Sequence, residues 1–71
     1  MENILKTFSE RLKELRAEKG VSALKLSKAI GVADSTIGRW ENDKRVPTIE
    51  NLYALAVYFG VSADYLIGLE D

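Results

Sequence analysis

One tripeptide pattern recurs three times along the chain and restricts it to short helices with very short connections. Its copies are Gly20-Val21-Ser22, Gly31-Val32-Ala33 and Gly60-Val61-Ser62. Glycine suits the left-handed position just past a helix end. The valine can pack back on the completed helix, and a serine can accept hydrogen bonds from the free amides of the next helix. Each copy therefore predicts the end of one helix and the start of another.

The spacing of apolar residues supports this interpretation. In the first predicted helix, about residues 4–19, four apolar side chains recur three or four positions apart and form one stripe. They are Leu5, Phe8, Leu12 and Leu15. The second helix is expected after Ser22, and the third over residues 34–42. Because we find no strand alternation and no internal linker, the sequence predicts one all-α domain over residues 1–71.

The second half of the chain continues the same pattern. Residues 42–47 are rich in turn-forming asparagine, aspartate and proline, so they predict a loop. Thr48 is the expected cap of a fourth helix. A last short helix is expected over residues 63–69. The sequence thus predicts five helices in a compact arrangement.

Composition excludes several classes of function. The chain has 71 residues and contains neither cysteine nor histidine. It therefore lacks disulfides, thiolate ligands, the usual zinc ligand and the commonest general base. We also find no glycine-rich phosphate loop, so we expect no enzyme, cofactor or metal. The amino terminus does not resemble a secretion signal and no apolar run approaches a membrane span, so we expect a cytoplasmic protein.

Charge is distributed unevenly along the chain. The formal net charge is −1, but residues 21–47 carry a net charge of +2 and residues 48–71 carry −4 with no basic side chain. Salt screens exposed charges beyond roughly 10 Å. A locally basic surface in the middle of the chain is therefore compatible with the negative total.

The motifs, taken together and in order, carry a family resemblance over about residues 8–68. The residues are Arg11 to Arg16, Gly20-Val21-Ser22, Leu26, Gly31-Val32, Ser35-Thr36-Ile37, Arg39-Trp40-Glu41-Asn42, Pro47, Leu52, Leu55, Ala56, Gly60-Val61-Ser62 and Tyr65-Leu66. This set resembles the Cro/CI-type (phage-repressor-like, XRE) helix-turn-helix transcriptional regulators. The resemblance implies a compact five-helix lambda-repressor-like DNA-binding domain. Its helix-turn-helix motif lies at about residues 23–42, and its third helix enters the major groove.

The resemblance also implies which residues read base edges: Asp34, Ser35, Thr36 and Arg39. Arg39 is the principal candidate, because a guanidinium can bond two acceptors of guanine at once; a solvated arginine or a phosphate contact is the alternative. Ser35 can bond a base or a phosphate. Asp34 repels phosphate but can accept from the amino group of cytosine, and it can equally serve only as a helix-start residue.

Phosphate contacts are expected from residues on both sides of that helix. Ser22 and the free amides at the start of the second helix, including that of Ala23, can bind an anion. Asn42, Lys44 and Arg45 follow the third helix and can reach the other side of the groove; an ordinary charged loop is the alternative. The family usually has glutamine at position 23, so alanine is expected to lose one side-chain contact.

Four further positions bear on the architecture. By resemblance, Arg16 and Glu41 form a partly buried ion pair that ties the first helix to the end of the third; two independent surface charges are the alternative. Ser27 replaces a small alanine of the family, so its hydroxyl needs a backbone partner. Ala33 stands where the other two triplets have serine, which predicts a weak start for the third helix.

The predicted function is sequence-specific binding of double-stranded DNA by a transcriptional regulator, with repression as its action. We expect a homodimer on a palindromic operator, with the last two helices as its interface. The alternative is a protein-interaction or antitoxin-like module on the same fold, because fold does not fix function. Tyr53, Tyr58 and Ile67 are candidates for that second use, unless they pack in the core.

Overall fold

Five helices make up the computed structural model, which describes residues 3–71. They are α1 (Ile4–Lys19), α2 (Ala23–Ile30), α3 (Thr36–Glu41), α4 (Ile49–Phe59) and α5 (Ala63–Ile67). No strand occurs in the described range, so the predicted all-α fold with five helices is confirmed. None of these helices is long and apolar enough to cross a membrane.

All three tripeptides end a helix as predicted, and the first and third also begin the next one. Each glycine has φ between 67° and 76°. Each valine N–H donates to the carbonyl five residues earlier, over 2.9 to 3.2 Å. This is the Schellman arrangement, which satisfies carbonyls left open at a helix end. The hydroxyls of Ser22 and Ser62 accept from the amides of Lys25 and Tyr65 at 3.0 and 2.9 Å, so both predicted serine caps are present.

A single apolar core joins all five helices. It consists of Phe8, Leu12, Leu15, Leu26, Ile37, Trp40, Leu55, Ala56 and Leu66. Three of the four side chains in the predicted α1 stripe belong to it, and the fourth, Leu5, packs against it. Helix α1 contacts α3 and α5, while α2 contacts α3 and α4. The short α3 is therefore held between the two helices that precede it.

The third helix is shorter than the sequence indicated. It begins at Thr36, whereas the prediction placed its start at residue 34. The residue at the cap position, Ser35, makes no side-chain hydrogen bond to the helix. Instead the amide of Thr36 donates to the carbonyl of Ala33 over 3.0 Å. Because no side chain caps this end, a backbone turn through Asp34 and Ser35 precedes the helix.

Two further helix ends differ from the prediction, because a residue with positive φ follows each helix earlier than expected. Helix α5 stops at Ile67, two residues early, because Gly68 adopts φ 91° and Leu69 N–H bonds the carbonyl of Asp64 at 2.8 Å. Helix α3 ends at Glu41, one residue before the predicted end; Asp43, two residues further on, has φ 59°, and the amide of Lys44 donates to the carbonyl of Arg39 at 2.9 Å. Both are Schellman-type ends whose sequences differ from the three tripeptides.

Candidate nucleic-acid interface

Helix α3 has one buried and one open face. Ile37 and Trp40 are almost completely inaccessible, and Glu41 is also buried. Arg39 is exposed between them, and Thr36 and Gly38 are half-buried. Since positions 37, 40 and 41 lie on one side of a 3.6-residue helix, the core fixes α3 through that side. The other side is available to a partner.

The turn before α3 supplies more open side chains. Asp34 and Ser35 are exposed and lie just ahead of the first helical turn. The structure thus brings four predicted base-reading positions together at the amino-terminal and outward side of α3. Only Thr36 and Arg39 belong to the helix itself. The prediction that Asp34 and Ser35 are helical is wrong, because the uncapped start described above leaves them in the turn.

The start of α2 has the groups needed for an anion. Ser22 is exposed, and its oxygen already accepts from Lys25 N–H, so its hydroxyl proton can still be donated outward. The first amides of a helix have no partners within the helix. The Ala23 side chain packs against the core. A phosphate contact at position 23 is therefore limited to the backbone N–H.

The loop after α3 is exposed from residue 42 to residue 45. The Asn42 amide group donates to the carbonyl of Gly38 over 2.7 Å, which fixes the side chain against the end of α3. Lys44 and Arg45 form no ion pair with any residue in the range 3–71. Their charges are therefore free to attract an anion, with the carboxylate of Asp43 beside them as the opposing charge.

Arg16 and Glu41 join α1 to the last residue of α3. Arg16 Nε and Nη2 donate to the two oxygens of Glu41 over 2.8 and 2.9 Å, a two-point contact. Arg16 Nη1 also donates to the carbonyl of Val21 over 3.1 Å. The hydrogen bonding by Glu41 raises the pKa of the Arg16 guanidinium above its ordinary value despite partial burial. The pair is thus formed, and it connects α1, the first tripeptide and α3.

Ser9 forms a second link between α1 and α3 that the sequence did not indicate. Its side chain is buried, and its hydroxyl lies within hydrogen-bond reach of the carbonyls of Leu5, at 2.9 Å, and Trp40. The Trp40 ring packs edge-on against Phe8 with 6.1 Å between ring centroids. The sequence signal that could have revealed this contact is the position of Ser9 next to the apolar stripe of α1. A small polar side chain at that position also faces the core.

Arg11 connects the carboxyl-terminal segment to α1, again without a sequence signal. Its guanidinium donates to the carbonyls of Tyr65 and Glu70, lies 4.4 Å from the centroid of the Tyr65 ring, and pairs with Asp71 at 3.8 Å. These contacts are with α5 and the residues beyond it. Arg11 therefore holds the fold together and does not belong to the α3 surface.

The remaining predicted positions have mixed outcomes. Ser27 is fully buried, and its hydroxyl donates to the carbonyl of Leu24 over 2.7 Å, so the expected backbone partner is present. Tyr53 is exposed, whereas Tyr58 and Ile67 are half-buried. Tyr58 packs against the core. Of the three candidates for a protein contact, Tyr53 is the most accessible.

These features define the class of the protein. Two short helices are joined by a turn, the first capped by Ser22 and the second fixed through its inner face, in an arrangement typical of a helix-turn-helix.

Comparison with known proteins identifies the family. The family model HTH_3, described as Helix-turn-helix, matches residues 12–66. The chain therefore belongs to this helix-turn-helix family.

Individual relatives agree with this assignment. The uncharacterized HTH-type transcriptional regulator YobD of Bacillus subtilis is 34% identical over 64 residues, which are 90% of this chain and 57% of that protein. The HTH-type transcriptional activator BcrR of Enterococcus faecalis is 31% identical, and the match covers 90% of this chain and 31% of BcrR. The chain thus spans between about a third and about three fifths of the length of these two relatives.

Solved structures show the same fold. The P22 c2 repressor, in complex with a synthetic operator, has a TM-score of 0.83 and 32% identity, over 89% of this chain and 96% of the repressor chain. The restriction-modification controller protein C.AhdI of Aeromonas hydrophila has a TM-score of 0.80 and 32% identity, over 87% and 94% of the two chains.

Proposed function

We propose that the chain binds double-stranded DNA in a sequence-dependent manner and regulates transcription, with repression as its action. The observation that carries this proposal is the fixed orientation of α3. Its inner face is held by the core and by Glu41, while Arg39 remains exposed. The membership in a helix-turn-helix family and the similarity to a repressor solved with its operator support the same ligand. Such a protein acts on DNA in the cytoplasm and needs no catalytic group.

Each surface group has a distinct proposed role. Arg39 reads a guanine through two hydrogen bonds, and Ser35 and Thr36 contact neighbouring bases or phosphates. Asp34 accepts from a cytosine amino group or has no direct contact. Phosphates on one side are bound by Ser22 and the first amides of α2. Phosphates on the other side are bound by Asn42, Lys44 and Arg45.

A second proposal concerns the number of subunits. One small module offers a limited contact area, whereas two copies on half-sites about one helical turn apart double it. We therefore propose a homodimer on a palindromic operator. The domain is 32 Å long and 24 Å wide, so two adjacent copies are of the size needed to span one helical turn of DNA, roughly 34 Å.

The test starts from selection of bound sequences out of random DNA, followed by affinity measurements on the selected site. Arg39→Ala is expected to cost about 1–3 kcal/mol of binding free energy and to relax one base position. Lys44→Ala is expected to weaken binding to all sequences alike and to flatten the salt dependence by about one unit of slope. Lys13→Ala, on the exposed side of α1, is the matched control and should change neither quantity.

The same measurement decides between DNA and a protein ligand. Binding to DNA must weaken steeply with salt, because phosphate contacts release counterions. A chain that selects no sequence and whose weak DNA binding does not respond to salt would contradict the proposal. That result would favour the protein-interaction or antitoxin-like module, for which the exposed Tyr53 is the supporting observation.

A further inference from the structure

An apolar hollow lies on the side of the domain where α1 and α4 begin. The buried Phe8 forms its floor, and the half-buried Leu5, Leu52 and Ile67 form its walls. We call it the α1–α4 hollow. Its volume is about 370 Å³, and every residue that lines it is apolar. Because sites for small molecules begin at roughly 300 Å³ and are lined mainly by apolar side chains, the hollow has the size and lining of such a site.

Apolar side chains also lie at the mouth of the α1–α4 hollow. Ile4 and Val46 both line it and are 52% and 71% exposed. The apolar surface therefore continues from the molecular surface down to Phe8. Burial of each methylene of a ligand favours binding, whereas a polar group buried without a partner opposes it. A surface of this kind suits an alkyl chain.

The charge next to the mouth indicates the other end of the ligand. Arg45 directly precedes Val46, is exposed, and forms no ion pair within residues 3–71. Consecutive Cα atoms are about 3.8 Å apart, so the Arg45 side chain starts close to the rim of the hollow. A guanidinium binds a carboxylate through two parallel hydrogen bonds. An alkyl chain that ends in a carboxylate therefore matches both the lining and the neighbouring charge.

We propose that the α1–α4 hollow binds the alkyl chain of a medium-chain carboxylate, and that the carboxylate pairs with Arg45. The inference rests on the proposed function, in which Arg45 binds a DNA phosphate. One guanidinium cannot make the same two-point contact with both anions, so the ligand and DNA compete for it. The carboxylate is then an effector that weakens DNA binding, and DNA weakens binding of the carboxylate by the same factor.

The loop after α3 connects the hollow to the candidate nucleic-acid interface. Val46 and Pro47 line the hollow, and Lys44 and Arg45 directly precede them. An alkyl chain packed against Val46 and Pro47 places its carboxylate beside residues that are proposed to bind phosphate. The competition is local and requires no movement of α3, whose inner face is held by the core. We therefore expect the effector to lower DNA affinity without changing the preferred sequence.

The first test is titration of the full chain with octanoate in the absence of DNA. Phe8 lines the hollow, and its ring centroid is 6.1 Å from that of Trp40, so tryptophan fluorescence reports binding. From hexanoate to octanoate, the Kd should fall about fourfold for each added methylene. Val46→Asp places a carboxylate at the mouth and should raise the octanoate Kd at least about tenfold.

Val57→Asp is the matched control for Val46→Asp. Val57 is also an exposed valine, at 63%, but it lies on α4 away from the residues that line the hollow. The octanoate Kd of this variant should not change. Circular dichroism of both variants verifies that the exposed substitutions leave the helices intact.

Arg45→Gln separates the contribution of the carboxylate from that of the alkyl chain. It should raise the octanoate Kd about two- to fivefold, because an ion pair at an exposed mouth is weak, and it should leave the Kd of octanol unchanged. Equal losses for octanoate and octanol, an unchanged octanoate Kd in Val46→Asp, or no octanoate binding by the unmodified chain would each overturn the proposal. An octanoate affinity that falls as protein concentration rises would also overturn it, because a second copy of the chain would then cover the hollow.

DNA binding with and without octanoate separates this inference from the proposed function. Saturating octanoate, compared with acetate at equal ionic strength, should weaken binding to all sequences alike and flatten the salt dependence by about one unit of slope. Octanol should leave DNA affinity unchanged. Octanoate binding by a chain that binds no DNA would contradict the proposed function and leave the carboxylate site supported. DNA affinity that octanoate does not change would contradict the competition at Arg45 and leave the proposed function supported.

Discussion

Replacing Arg16 by methionine is expected to destabilise the fold more than removing the charge of its partner. The carboxylate of Glu41 is 9% exposed, whereas the Arg16 side chain is 28% exposed. Arg16→Met therefore leaves a nearly buried carboxylate without its two donors. Loss of one partner of a buried pair costs roughly 3–5 kcal/mol, and the water that reaches this site lowers the expected value to about 2–3 kcal/mol.

Replacing the acidic partner, Glu41, is expected to reduce the stability of the fold less. In Glu41→Leu the guanidinium keeps the carbonyl of Val21 and can turn toward solvent, so we expect a loss of about 1 kcal/mol. The double variant Arg16→Met with Glu41→Leu should lie within about 1 kcal/mol of the unmodified chain, because neither charge is left unpaired. An arginine is charged throughout the neutral range at its ordinary pKa, and Glu41 raises the pKa of Arg16 further. This group's contribution is therefore constant there and is lost only in strong alkali.

Urea unfolding followed by tryptophan fluorescence measures these differences. Trp40 is the only tryptophan of the chain, is 1% exposed and precedes Glu41, so its emission reports the site directly. A domain of this size has a free energy of unfolding of roughly 4–10 kcal/mol, so a loss of about 2–3 kcal/mol is readily detected. Lys13→Met, an exposed control on α1, should stay within about 0.5 kcal/mol. The reasoning is refuted if Arg16→Met matches that control, or if the two single losses simply add in the double variant.

Two further substitutions test the surface of α3. Gly38→Ala should raise the melting temperature, because an added Cβ meets no atom within 4 Å and alanine favours a helix by about 1 kcal/mol. The added methyl group should also weaken DNA binding, because it leaves less room between α3 and the proposed major groove. Equal or tighter binding would contradict the proposed insertion of α3 into the groove. Asp43→Gly should stabilise the fold by about 1 kcal/mol in thermal unfolding, because φ is 59° there. It should also tighten DNA binding at low salt by removing a carboxylate beside Lys44, and an unchanged salt series would argue against phosphate contact by this loop.

The elements that the sequence predicted are those with a local chemical signal. Ser22, Thr48 and Ser62 each accept a hydrogen bond from an amide three residues later, so a side chain near the helix start identifies it. The start of α3 lacks such a residue, and its position was misplaced by two residues. A backbone turn has a weaker sequence signal than a cap, because many residue types can adopt it.

Contacts between residues far apart in the sequence could be predicted only in part. The Arg16–Glu41 pair spans 25 residues and was expected from family resemblance, since no local pattern connects the two positions. Ser9 bonds a carbonyl 31 residues away, and Arg11 bonds carbonyls 54 and 59 residues away. These depend on how α1 crosses α3 and α5, which apolar spacing alone does not determine. The roles proposed for the DNA-facing side chains remain predictions.

Helix α3 divides its six residues between two tasks. Ile37, Trp40 and Glu41 are committed to the interior, and the positions open to a ligand alternate with them. Stability and the proposed target preference therefore depend on neighbouring but different residues of the same short helix. Under the proposed function, divergence at Arg39 and in the turn before α3 would change which DNA sequence is selected while the melting temperature stays nearly constant. Conversely, Ser9 contacts the carbonyl of Trp40 and lies outside the proposed DNA-facing surface, so under the same proposal a change at Ser9 that tilts α3 would alter affinity for every sequence alike.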